Sequence, residues 1–166
     1  MVVRAMPSRD ELWAILDEVR DPEVPVLSVV ELGIVRDARI EGDQVVVDIT
    51  PTYSGCPAMH EIERCVAGAF AARGVVARVQ TVFSPAWTTD WMSDAAKEKL
   101  RAYGIAPPGR AADQALIPLM RRGAAVPCPF CGSRDTDTRS DFGSTACKSL
   151  HFCNACHQPF EHFKAI

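Results

Sequence analysis

Four cysteines in the last third of the chain have the type and spacing of a metal shell: Cys128 and Cys131 in CPFC, Cys153 and Cys156 in CNAC. A C-x-x-C turn presents two thiolates from one tight knuckle, and two such turns complete the tetrahedron that Zn²⁺ prefers without leaving a position for water. The 21 residues between Cys131 and Cys153, with Gly132, Ser133 and Asp141-Phe142-Gly143-Ser144, are enough for a hairpin that brings the knuckles together. A segment as short as 127–166 buries little core of its own, so the ion would supply much of its folding free energy. The expectation is a structural zinc ribbon, with rubredoxin-like iron and unrelated reduced cysteines as the alternatives. Cys147 is either a small buried hairpin residue or an exchangeable ligand. His151, His157 and His162 are competing ligands in principle, but four thiolates already suffice, and surface or core histidine is the simpler reading for each.

The second constellation is Thr50-Pro51-Thr52-Tyr53-Ser54-Gly55-Cys56-Pro57. Pro57 suits the first position of a helix, which puts Cys56 at the N-cap, where free N–H groups and the helix dipole favour a thiolate. That placement predicts a reactive or metal-competent thiol; the plain alternative is a buried cysteine acting as a small hydrophobe. His60, four residues on along the same helix, is not automatically placed as a base, and no other partner of a cysteine hydrolase is evident. Cys65, in mid-helix, reads as core.

The elements that must carry these residues follow from periodicity. Ser8-Arg9-Asp10-Glu11 has capping-box form, and Leu12, Ile15, Leu16 and Val19 then make one apolar face, so a helix is expected over 9–20. Pro22 and Pro25 force an extended loop after it. IVRDARI and QVVVDIT flank Glu41-Gly42-Asp43 and read as an antiparallel hairpin. Met59, Ile62, Val66, Ala69 and Phe70 give a second helix over about 57–73, VVARVQTVF a third strand, and Ser93 caps a helix over DAAKEKLRAY that Gly104 ends. The order predicts an α+β fold: a small α/β layer domain with a short mixed sheet and covering helices over 1–104, a linker over 105–126 with at most one helical turn, and the zinc-ribbon β module over 127–166.

At 166 residues, 48% hydrophobic and 23% charged, the chain fits one ordinary domain plus an appendage. No apolar run reaches membrane-spanning length and the start lacks a signal peptide's apolar core, so a cytoplasmic, non-membrane protein is expected. An odd number of cysteines, 7 in all, also argues for metal binding in a reducing compartment rather than a disulfide framework. Residues 1–104 carry 11 Lys/Arg against 16 Asp/Glu, and residues 127–166 carry 4 of each. Neither part has the basic stripe of a nucleic-acid binder.

Taken together, DPEVPVLSVVELGIV, TPTYSGCP and SPAWTTDWMS resemble the signature segments of the small iron–sulfur cluster assembly domains that include SufT-like proteins, over about residues 9–105. Joined to CPFCGS, DFGSTACKSL and CNACHQPFEHFK, that head is similar over nearly the whole chain to the PaaD (PaaJ) family of the phenylacetyl-CoA epoxygenase system. The resemblance implies an accessory protein of a multicomponent ring-epoxidising oxygenase in phenylacetate catabolism. Its partners would be the other oxygenase subunits or iron–sulfur assembly proteins, with a homodimer as a further option. It implies Cys56 as an exposed ligand or transfer thiol for transient iron or an iron–sulfur cluster, with Asp21 and Glu23 shaping the adjacent loop; plain turn chemistry is the alternative for both. Trp87 and Trp91 read as core packing or as a client-docking patch.

Three functions compete: a maturation factor for the oxygenase's metal centres, a structural or docking subunit that uses the ribbon, and an enzyme in its own right. No paired carboxylates, Glu-x-x-His motif, phosphate loop or dinucleotide fingerprint supports the last. An accessory protein, not catalytic alone, is therefore expected.

Overall fold

The computed structural model describes residues 6–53, 55–110 and 125–166. The chain divides into two compact units between Trp87 and Thr88.

The first unit opens with helix α1, Arg9–Asp17, started by the anticipated capping box: Ser8 Oγ accepts from the Glu11 N–H and the Glu11 carboxylate accepts from the Ser8 N–H. Leu12, Ile15 and Leu16 are buried on its inner face. The helix stops short of the expected residue 20 because Arg20 already pairs with Ser28 in an isolated antiparallel bridge and the Asp21 N–H bonds the Leu27 carbonyl. Strand β1, Val35–Glu41, turns at Gly42, whose φ of +66° suits glycine, into β2, Gln44–Ile49. Helix α2, Met59–Ala71, then crosses to β3, Ala77–Thr81, which pairs parallel with β2.

The result is a three-stranded mixed sheet in the order β1-β2-β3. Helix α1 packs on β1 and α2, and α2 packs on β3. Period-two alternation sends Val45, Val47 and Ile49 to one face, and all three are buried. On the other face Arg39 pairs with Asp37, Glu41 and Asp48. Trp87 is buried, with its indole N–H on the Leu32 carbonyl, which settles it as core.

The second unit begins with a 3₁₀ turn, Thr89–Trp91, and helix α3, Asp94–Tyr103, capped by Ser93 and ended by Gly104 at φ +94°. Strand β4, Ile105–Ala106, follows at once and pairs parallel with β7, Pro159–Phe163; β6, Lys148–Cys153, and β5, Thr136–Ser140, complete a sheet in the order β4-β7-β6-β5. The sequence pattern puts α3 in the head, up to residue 104, and Ile105 and Ala106 in a linker. In the structure α3 packs on β4, and Ala106 sits in one apolar cluster with Cys128, Cys153 and Phe160. A two-residue strand carries no periodicity of its own, so its pairing is invisible until β7 is present. Residues 111–124 of the expected linker lie outside the described residues. Among the described residues no helix is long and apolar enough to cross a membrane.

Candidate functional site

The two knuckles are built alike. In the first, the Cys128 N–H bonds the Ser133 carbonyl, the Gly132 N–H bonds the Cys128 carbonyl, and Gly132 takes a φ of +76°. In the second, the Cys153 N–H bonds the Gln158 carbonyl, the His157 N–H bonds the Cys153 carbonyl, and His157 adopts a φ of +59°. His157 therefore serves the knuckle through its backbone, in a conformation that usually falls to glycine or asparagine.

The four sulfur atoms converge within 4.8 Å of one another, with Cys128–Cys156 at 3.7 Å and Cys131–Cys153 at 3.6 Å. A tetrahedron with Zn–S bonds of about 2.3 Å has S···S edges of about 3.8 Å, so the shell already has the size a zinc ion needs. Its electrostatics point the same way. Backbone N–H groups, that of Cys156 first, hold the Cys153 thiol down at about 7, while burial pushes Cys156 up to about 12. Crowded sulfurs cannot all ionise unaided, and a divalent cation supplies the missing charge.

The other ribbon candidates stay outside this shell. Cys147 is buried with its sulfur 3.1 Å from Thr145 Oγ1. His151 is buried, stacks on Phe160 and sets Nε2 2.9 Å from Ser149 Oγ; His162 meets it edge-on. Among the described residues, the four cysteines are the one group of metal-ligating side chains gathered this closely.

Cys56 occupies a different setting from the one its spacing suggests. Helix α2 starts at Met59, with Ala58 at the N-cap and no capping side chain, so Cys56 lies ahead of the helix in a turn closed by its own N–H to the Tyr53 carbonyl. Nor is it an exposed ligand: it is only 9% accessible. Burial is the leading cause that pushes its thiol pKa up, an Ala58 N–H and the Thr52 side chain act against it, and the charges of Glu23 and Asp21 add to the rise. The local helix-terminus argument is thus overridden by desolvation and by carboxylates brought in from another loop. Burial and the two carboxylates both favour the protonated form of the Cys56 thiol.

Asp21 and Glu23 come to Cys56 from the loop after α1. Asp21 is buried and its Oδ1 accepts from the Glu23 and Val24 N–H groups, so its carboxylate is fixed by turn chemistry while its charge reaches the thiol. One threonine that spacing does not single out joins these surroundings: Thr52 bonds the thiol. The run of hydroxyl residues ahead of Cys56 is the signal that points to it. His60 turns to Glu63, 95% accessible, and gives Cys56 no base.

Two family models match the chain. One described as iron–sulfur cluster assembly protein covers residues 9–81, and one described as PaaD zinc beta ribbon domain covers residues 113–164. A protein of Escherichia coli (strain K12), provisionally named as the D component of 1,2-phenylacetyl-CoA epoxidase, is 44% identical over 163 residues, 98% of this chain and 96% of that one. Among solved structures, a domain of unknown function, DUF59, from Bacillus anthracis is 31% identical with a TM-score of 0.51, covering 55% of this chain and 90% of its own. A conserved hypothetical protein of Thermotoga maritima is also 31% identical, with a TM-score of 0.50 and coverage of 59% and 98%.

Proposed function

We propose, from the premise that this chain belongs to the PaaD family of 1,2-phenylacetyl-CoA epoxidase components, that it is an accessory protein which helps the oxygenase components acquire their iron or iron–sulfur centres. The observation that carries this reading is the separation of two kinds of thiol. Four cysteines close on one another in the ribbon and leave no coordination position open, while Cys56, in the iron–sulfur assembly-like head, has no sulfur partner among the described residues. The ribbon holds a structural zinc through Cys128, Cys131, Cys153 and Cys156. Cys56 is the transfer thiol: one ligand, with Thr52 bonded to it and the Asp21 and Glu23 charges nearby, leaving the rest of a shell to the delivering or receiving protein. Iron or a cluster is cargo here, and the chain turns over no substrate alone. Its partners are the other oxygenase subunits or iron–sulfur assembly proteins.

Cys56→Ser tests the proposal, because the change is nearly isosteric and spares the ribbon. Co-expressed with the oxygenase components, the variant is expected to keep about one zinc per chain and to leave those components with less than about a tenth of their iron and of their epoxidation activity. Full iron loading and full activity with the variant would sink the transfer role. A purely docking role predicts instead that the variant is silent and that the protein co-purifies stoichiometrically with the oxygenase until residues 88–166 are removed; cutting at 127 would split the second unit.

A further inference from the structure

The two edges of the head sheet are treated differently. Edge strand β1 carries Arg36, Asp37, Arg39 and Glu41 and has a register shift between Val35 and Asp37. Charges and bulges are the usual devices that stop one sheet edge from adding to another. Edge strand β3, ARVQT, has a single charged residue, Arg78, a regular register, and no proline or lysine. Val76 and Phe83, just beyond its two ends, are 69% and 68% accessible. Among the described residues no strand lies beyond β3.

The ladder shows what this edge offers. The Val45 N–H bonds the Val76 carbonyl and the Val82 N–H bonds the Ile49 carbonyl, so even-numbered residues of this segment turn their backbone groups toward β2. Ala77, Val79 and Thr81 therefore turn theirs outward. Placing a second copy antiparallel about a two-fold axis at Val79 sets Val79 on Val79 and Ala77 on Thr81, each pair exchanging both main-chain hydrogen bonds. On the open face, Arg78 then stands opposite Gln80 of the other copy, so no like charges meet. Past the strand ends, Phe83 falls against Val75 and Val76 against Val82, which covers the two most exposed apolar side chains of the head. A one-residue shift of this register would bring outward-facing backbone groups opposite inward-facing ones and lose the ladder.

We infer that β3 is a self-association edge, and that two copies of this chain join there into a continuous six-stranded sheet with an antiparallel pair at its centre. The occupant is a second copy because the strand is self-complementary in charge, in hydrogen-bonding parity and in the placement of its flanking apolar residues. The inference is independent of whether Cys56 handles iron.

Sedimentation equilibrium on the full chain, from about 1 to 100 µM, tests it. The wild type is expected to be a dimer over most of that range. Gln80→Arg opposes two arginines at both symmetry-related pairs and is expected to weaken the dimer about ten-fold. The exchanged double variant, Arg78→Gln with Gln80→Arg, restores an Arg–Gln pair and is expected to recover the dimer to within about three-fold of wild type. Phe83→Asp, at a position 68% accessible in the single chain, is expected to weaken the dimer as well. A wild-type chain that stays monomeric throughout, or a dimer indifferent to Gln80→Arg and Phe83→Asp, overturns the inference. So does a Gln80→Arg defect that the exchange leaves uncorrected.

Discussion

The ribbon and the head use cysteine in opposite ways. In the ribbon, spacing is decisive: each pair is separated by two residues, and backbone hydrogen bonds within each knuckle aim the sulfurs, so Cys128, Cys131, Cys153 and Cys156 converge to within 4.8 Å. In the head, Cys56 has no sulfur companion among the described residues, and the groups acting on it include Asp21, Glu23 and Thr52, of which the first two lie on a different loop. A closed shell of four thiolates stabilises a fold. A single buried thiol beside two carboxylates is instead biased toward its protonated form. On the proposed function, the difference separates a resident ion from transferable cargo.

Removing one knuckle sulfur should break the comparison most severely. Cys153→Ser is expected to abolish stoichiometric zinc, measured by elemental analysis after anaerobic purification, and with it the cooperative unfolding of the ribbon, since metal-coupled folding in such modules is worth on the order of 10 kcal/mol. Helix α3 and β4 should lose protection in hydrogen exchange along with the ribbon, because Ala106 packs on Cys128 and Cys153. Zinc bound at full stoichiometry in the variant would contradict the four-sulfur shell. Next in size stands Cys56→Ser, whose expected loss of iron delivery with unchanged zinc draws the line between the two thiol classes.

A smaller effect is expected from acid. Burial first, then the charges of His151 and Lys164, hold His162 down at about 4 against its ordinary 6.5. The unfolded chain takes up this proton near 6.5 and the folded chain only near 4, so the unfolded state binds more protons between these values. Stability is therefore full above 6.5 and falls as the pH drops from 6.5 toward 4. His162→Gln should flatten this part of the Tm against pH curve relative to wild type, and parallel curves for the two proteins would refute the assignment. The smallest change is Ser8→Ala, which removes the α1 cap. It should cost about 1 kcal/mol by chemical denaturation of the head and leave the zinc content untouched; coupled zinc loss would show that the two units do not stand apart energetically.

Much of this is legible in the sequence, and the reason differs from element to element. The capping box at Ser8, the Gly42 turn, the Ser93 and Gly104 ends of α3 and the two C-x-x-C knuckles depend on groups a few residues apart, so local stereochemistry determines them. The mixed sheet follows from the order of elements, because parallel β2 and β3 need a crossover such as α2 between them. Periodicity overruns the end of α1 because the bridge between Arg20 and Ser28 competes with the last helical turn. Cys56 escapes local reasoning in a similar way: a proline at the next position is a fair helix-start signal, but α2 begins two residues further on and burial decides the thiol's charge.

The sequence by itself determined which residues form the metal shell, because the ligand spacing and the turn geometry lie within two short segments. It also determined the order of the helices and strands of the head and α3, through periodicities of 3.6 and 2, but not strands β4 and β7. Only the tertiary structure decided that β4 and α3 belong with the ribbon, that the expected N-cap thiol is buried with its pKa pushed up, and that the charges of Asp21 and Glu23 reach it. Those outcomes depend on desolvation and on contacts between residues far apart in the chain, and neither is encoded in any local pattern.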